Sequence, residues 1–324
     1  MARISCRRAR MRIILSIVAL ALLAPAGATA VLRPLDGSGN FHTSVDVVNR
    51  WRDESVLDVL VLVEVANVDL AFIEERGGLQ GRLRIEVELE GPDGQVVAEK
   101  RPVRTAILTA EEAASPTLFQ VFGIVLENVP FRSGQVRCGV YDVNERRSGL
   151  LNEMRKQSRL SVSAGAWAAH DGPRTGRGLA LGEPLFLAHA PLDVWRPGAG
   201  VGEASGWLHD YMHPSRRYGL EQDRLQLFVP VWPPAGGIPV EADSIGLLVR
   251  VSSMDMDFVV TDTVAFDNTG RGALAAGRPA GLVYELDVNL LPEGSFHLAL
   301  APLDRRGRGA LAEFDVIWRL AALA

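Results

Sequence analysis

The chain has 324 residues, 48% of them hydrophobic and 23% charged, with a formal net charge of −5. That length and apolar content suffice for two cored domains. The acidic balance argues against nucleic acid and anionic membrane surfaces as partners.

The first 30 residues carry Arg3, Arg7, Arg8, Arg10 and Arg12 and no acidic side chain. An apolar run from Ile13 to Leu23 follows, and the segment closes on Ala28-Thr29-Ala30. A basic start, a short apolar stretch and small residues at the −3 and −1 positions form the pattern of a secretory signal peptide. We expect residues 1–30 to be a signal peptide cleaved after Ala30, with Met11 as an alternative start. The apolar run is shorter than the ~20 residues of a bilayer span, so no stable membrane span is expected after cleavage. The chain from Val31 onward carries 29 basic and 39 acidic residues, a net charge of −10. Cys6 leaves with the leader. Cys138 then stands alone, which excludes an internal disulfide. Its place in Val136-x-Cys138-x-Val140 predicts a buried thiol.

Residues 31–44 are polar and contain glycine, and read as a loose lead-in. A first domain is expected over 45–163. Val56 to Val65 is a β-branched run that suits a buried strand. Leu83, Ile85, Val87 and Leu89 alternate with Arg84, Glu86, Glu88 and Glu90, the period of a strand with one wet face. Gly91-Pro92-Asp93-Gly94 is a turn signal, so 82–104 reads as a hairpin. Glu111-Glu112-Ala113-Ala114 predicts a short helical turn. Strands follow near 118–127, 135–143 and 157–163. The composition of 164–178 is that of a linker. A second domain is expected over 179–324, with strands near 179–189, 224–231, 245–251, 257–265, 282–290, 295–301 and 310–318, and a long loop at 190–223. No segment shows an amphipathic helix of normal length. The fold class is therefore all-β: two tandem immunoglobulin-like β-sandwich domains after a cleaved signal peptide.

Two stretches resemble each other. Val129-Pro130-Phe131-Arg132-Ser133-Gly134 leads into alternating Val136, Cys138 and Val140. Leu291-Pro292-Glu293-Gly294 leads into alternating Phe296, Leu298 and Leu300. Both read as strand, Pro/Gly turn, strand, charged turn, strand, through either duplication or convergence.

The second of these stretches, with the closing Phe314-x-Val316-x-Trp318, resembles the sandwich region of the GWxTD-domain proteins. So does His213-Pro214-Ser215-Arg216-Arg217-Tyr218-Gly219, running into a strand at Leu225 to Val231. The resemblance spans most of residues 45–318 through short motifs. It implies an exported bacterial envelope protein with tandem sandwiches and an undetermined role, and it implies no activity. The chain departs from that family at Ala324, where the domain bearing Gly-Trp-x-Thr-Asp would begin. Gly206-Trp207-Leu208-His209-Asp210 echoes the signature, with His for Thr, but lies mid-chain.

Standard catalytic signatures are missing: there is no Gly-x-Ser-x-Gly, His-Glu-x-x-His, Cys-x-x-Cys or phosphate-binding loop. The glycine clusters at 176–178 and 198–202 lack the strand-then-helix setting of a dinucleotide site. The candidate binding residues fall in the long loop: Trp195, Trp207, His209, Tyr211, His213, Arg216, Arg217 and Tyr218. Exposed aromatic rings with flanking Arg can anchor a protein or stack on a sugar, or can simply cover the end of a sandwich. His209 and His213, four apart, would share a helix face and could take part in a zinc site. A solvated loop that binds nothing is the favoured reading of that pair, because metal sites need several convergent ligands. Asp255 and Asp257 could hold calcium, yet two carboxylates fall short of its six to eight oxygens.

The leading expectation is a non-enzymatic exported envelope protein, periplasmic or extracellular, without catalytic residues, cofactor or resident metal. Its expected partner is another envelope protein, bound as a protein-binding or assembly module. The first alternative is a carbohydrate-binding accessory module that takes a glycan on the same tryptophans. The second is a metal-dependent hydrolase using His209 and His213.

Overall fold

A computed structural model describes residues 34–52, 55–144, 160–169, 178–190, 208–219, 222–234, 238 and 245–303, and the backbone of the strand Ala312–Arg319. The expected signal peptide, most of the expected linker and residues 191–207 of the long loop lie outside the described residues.

The N-terminal half forms one antiparallel sheet curled around a core. Its strands are β1 (Leu35–Gly39), β2 (Thr43–Trp51), β3 (Leu57–Ala66), β4 (Phe72–Glu75), β5 (Gly78–Glu90), β6 (Val96–Lys100), β7 (Val103–Leu108), β8 (Phe119–Val129), β9 (Ser133–Asp142) and β10 (Leu160–Ala168). They run in the order β4-β5-β9-β10-β1-β2-β3-β8, with β6 and β7 also paired to β5. The alternation in β5 predicts its burial: Leu83, Ile85, Val87 and Leu89 face the core while Arg84 lies in solvent. The turn after it closes through Gly91 N–H to the Gln95 carbonyl at 2.8 Å, with Gly94 at φ 77°. The short helix α1 (Ala110–Ala114) carries a capping box, in which Thr109 and Glu112 each bond the other's backbone N–H.

Two boundaries differ from expectation. Residues 35–39 are not a loose lead-in but strand β1, which pairs with β2 on one side and β10 on the other. Their glycines hid the strand, and one is required by a close approach. A Cβ on Gly37 would fall 2.0 Å from Thr43 Oγ1. At the other end, β10 takes residues 164–168 from the expected linker, and Trp167 is 1% exposed in the core.

The C-terminal half has two sheets. One holds β11 (Ala180–Leu181), β12 (Leu185–Leu187), β14 (Arg224–Trp232) and β17 (Ala280–Asp287). The other has the order β13-β19-β18-β15-β16. These are β13 (Arg217–Tyr218), β15 (Gly246–Ser253), β16 (Val259–Ala265), β18 (Gly294–Leu303) and β19 (Ala312–Arg319). Helix α2 (Asn268–Ala275) was not expected. Gly270 and Gly272 mask its pattern, but Asp267 caps it and Ala273 and Leu274 are buried.

The same pairing order occurs in both halves. β3 lies between β2 and β8, and β14 between β12 and β17. β7-β5-β9-β10 is matched by β16-β15-β18-β19. α1 and α2 occupy corresponding connections, before β8 and β17. The two similar sequence stretches fall at corresponding joints, β8 to β9 and β17 to β18.

Each half has its own core, and a third apolar cluster lies between the halves. Val48, Leu60 and Leu62 from β2 and β3 meet Leu185, Leu187, Leu208, Met212 and Phe228. The run in β3 is therefore buried on both faces, one against its own core and one against the other half. Gly281 makes room there, since a Cβ would come within 2.2 Å of the Phe228 ring. Among the described residues, no helix is long and apolar enough to cross a membrane.

Candidate functional site

The segment Leu208–Gly219 runs along the seam between the halves. Its chain is set by backbone bonds to β12. Ala188 N–H donates to the Tyr211 carbonyl at 2.8 Å, and His213 N–H to the Phe186 carbonyl at 2.9 Å. A turn follows, closed by Arg216 N–H to the His213 carbonyl at 3.1 Å, with Arg216 at φ 52°. A non-glycine residue in this left-handed region costs about 1–2 kcal/mol, which the side-chain contacts of Arg216 must offset.

Those contacts are extensive. The Arg216 guanidinium donates from Nε to Asp46 Oδ2 at 3.0 Å and from Nη2 to Asp46 Oδ1 and Oδ2 at 2.6 and 2.8 Å. Both side chains are buried, at 2% and 3% exposure. The guanidinium also lies 4.1 Å above the Phe186 ring, an arrangement that a planar, delocalised cation favours.

Neighbouring residues of the segment also reach the N-terminal half. His213 Nε2 donates to the Arg217 carbonyl at 2.8 Å, an assignment that follows because a carbonyl only accepts. Its Nδ1 faces Glu64 Oε2 at 3.5 Å, and Ser215 N–H donates to the same oxygen at 3.2 Å. The imidazole stacks on Phe119 and meets Tyr218 edge-on. Tyr218 is buried and donates its hydroxyl to the Leu187 carbonyl at 3.0 Å. Burial pushes its phenol up. Arg217, half-exposed, reaches Asp36 on β1 at 3.1 Å.

A second polar group crosses the seam from Glu183. Its Oε2 accepts from both the backbone N–H and the side-chain amide of Asn49, each at 2.6 Å. Asn49 Oδ1 in turn accepts from Trp167 Nε1 at 2.9 Å. Burial pushes the Glu183 carboxyl up to about 8; the Asn49 bonds and the Arg216 charge oppose this, and the Asp46 charge adds to it. At neutral pH Glu183 is therefore mainly a neutral acid, which avoids a second buried anion near Asp46.

These placements change the reading of the candidate residues. The structure seats His213, Arg216 and Tyr218 inside the seam, not on an exposed binding face, because each fills a gap between two packed sheets. Tyr211 packs against the inter-half cluster. Among the described candidate residues, Tyr211 and Arg217 keep partial exposure. Trp195, Trp207 and the His209 side chain lie outside the described residues. Among the described residues, no group of three His, Cys, Asp or Glu could hold a metal. Asp255 is engaged locally, accepting from Ser253 Oγ and Asp257 N–H at the β15–β16 turn. Burial also pushes the Cys138 thiol up to about 12, as a core position predicts.

Asp46, Asn49, Glu64, Trp167 and Glu183 were missed as members of this group. A signal was present: Asp46 and Glu64 interrupt apolar runs, and a charge in a buried strand demands a buried partner.

Comparison with known proteins leaves this seam without a counterpart that carries an argument. No family model matches the chain, and no curated protein does. Among solved structures, red sea bream transglutaminase is similar at a TM-score of 0.24 and 8% identity, over 85% of this chain and 31% of that one. A Corynebacterium diphtheriae protein described as membrane anchored is similar at 0.20 and 10% identity, over 87% of this chain and 54% of that one. The chain thus spans about a third to a half of the length of these structures. Scores this low carry no functional or fold assignment.

Proposed function

We propose that this chain is a non-enzymatic exported envelope protein, acting as a protein-binding or assembly module built of two immunoglobulin-like sandwich domains after a cleaved leader. The repeated pairing order supports the domain reading, and the N-terminal 30 residues support export. The observation that carries the functional reading is the polar clasp at the seam. The candidate segment holds two sheets face to face through the Arg216 side chain on Asp46 and the Ser215 backbone N–H on Glu64. A segment engaged in this way serves architecture, and a rigid double sandwich offers a fixed surface to a partner. That partner is another envelope protein, met through residues of the 190–223 segment.

The test is cross-linking of tagged protein in its own cell envelope, followed by reconstitution from purified components. One protein recovered at near-equal amount, and rebinding in isolation, supports the reading. Folded bait that captures nothing reproducible overturns it. Glycan binding that depends on Trp195 or Trp207 would replace it with the carbohydrate reading.

A further inference from the structure

The edge of β2 changes its cover along the strand. β1 pairs with it from Thr43 to Val45, and past that point no strand pairs with β2 on this side among the described residues. The bare edge is met by Glu183 from the other half, whose carboxyl takes the Asn49 backbone N–H that a neighbouring strand would otherwise take. The Asn49 side-chain amide spans the remaining gap to β10, donating to the Ala168 carbonyl at 3.3 Å. Glu183 is thus a plug between the halves, set where one sheet lacks a strand.

The surroundings of that plug suit a neutral acid and not an anion. Glu183 is 4% exposed, and the donors it meets belong to Asn49, which carries no charge. Asp46 on β2 repels a carboxylate there. Arg216 attracts one, but its guanidinium already lies on Asp46 in a forked ion pair. β10 brings Trp167 and Ala168 to the plug, neither of which titrates. Glu64, with His213 and Tyr218 beside it, lies beyond Asp46 along the seam. A charged Glu183 is therefore costly while the seam is closed and ordinary once water reaches it.

The seam is also the place where the molecule can yield without losing either fold. Each half keeps a core of its own, and Glu183 belongs to neither. Eight buried apolar side chains and the polar clasp join the two. Separation at such a joint costs less than unfolding a core, so it is the first opening available to the protein.

We propose that the seam is a proton-gated joint: the halves close on a neutral Glu183 and part, each still folded, when its carboxyl O–H gives its proton to solvent. Opening bares the apolar faces of β3 and β14, where Leu62 and Phe228 lie in the closed form. The direction follows from linkage. Burial pushes the closed-state carboxyl up to about 8, from an ordinary 4.5. Between those values closure holds a proton that the open form lacks. The joint is tight in acid, and its open fraction rises about tenfold per pH unit through that window. The inference goes beyond the proposed envelope partner and stands without it, because the test uses the purified chain alone.

The test is amide hydrogen exchange on the full chain from about pH 5 to about pH 8, with protection corrected for the intrinsic rate at each pH. Two amides report the seam: Asn49 N–H, bonded to Glu183, and Ser215 N–H, bonded to Glu64 of the opposite half. Amides of β5 and β18 report the two cores. Protection at both seam amides is expected to fall as pH rises while the cores stay level. Glu183→Gln keeps the shape and the accepting oxygen but cannot ionise, and its seam slope is expected to be shallower by about tenfold per pH unit. Loss at Asn49 without loss at Ser215 means that the side chain swings out of a closed seam. Loss at the cores in step with the seam means that the whole chain unfolds. Equal slopes in Glu183→Gln place the proton on another seam group, such as His213. Each of these three outcomes overturns the proposal, and the first two need only the unaltered chain, so they decide even if the variant does not fold.

Discussion

Strands β3 and β5 line the same core from opposite sides, yet their other faces meet different surroundings. In β3 the second face carries Leu60 and Leu62, at 3% and 2% exposure, because the C-terminal half lies on it. In β5 the second face carries Arg84 and Glu86, which pair with each other at the surface. One strand is apolar on both faces and the other alternates, so the pattern reports how many layers cover each sheet. The difference also accounts for the polar clasp. Asp46 and Glu64 lie on the covered side, where each charge needs a partner from the opposite half.

Breaking the clasp tests this contrast hardest. Arg216→Ala leaves Asp46 buried and unpaired, and is expected to cost about 3–5 kcal/mol in urea unfolding. Arg216→Lys should recover only part, since an ammonium cannot reproduce the planar fork. A loss below about 1 kcal/mol would place the pair in solvent-like surroundings and remove the clasp as a stabilising device.

Glu183 supplies the pH dependence. Its folded value, about 8, lies above its ordinary 4.5. Its contribution is therefore present in full below about pH 4.5 and is lost as pH rises through about 8, by at most about 5 kcal/mol. Glu183→Gln should flatten that part of the stability profile and make the variant the more stable protein at pH 9. An identical decline in both proteins would assign the effect to another group.

The strand comparison itself is sharpened by a pair of truncations. Leu62→Ala on the covered face of β3 should cost about 2–4 kcal/mol, as in a core. Glu86→Ala on the wet face of β5 should change stability by no more than about 0.5 kcal/mol. Equal effects would mean that the halves do not pack through β3. The smallest expected effect is at Cys138, whose thiol, pushed up to about 12, should resist thiol reagents until the protein unfolds.

Much of the strand pattern was legible because burial on one or two faces writes itself into the residue order. β5, β8, β9, β14, β15 and β18 fall where alternation or apolar runs place them. β1 was not legible: five residues with two glycines and an aspartate show no period, and they form a strand only because neighbours on both sides offer bonds. The candidate site was legible as a region and not in its role. The cluster of His213, Arg216 and Tyr218 marked the segment, but nothing local distinguishes a ring that faces solvent from one that fills a seam.

The sequence by itself determined the β-rich character, the wet and dry faces of individual strands, the short helical turn after β7 and the buried state of Cys138. These follow from local chemistry and from periods of two residues. Only the tertiary structure decided that the outer face of β3 meets that of β14, that Arg216 answers Asp46 across 170 positions of chain, and that Glu183 becomes a neutral acid beside Asn49. Such pairings depend on which two sheets close on each other. A charge inside an apolar run, as at Asp46 and Glu64, signals that a buried partner is needed, but which residue supplies it is a property of that closure and is not written in the order of neighbouring residues.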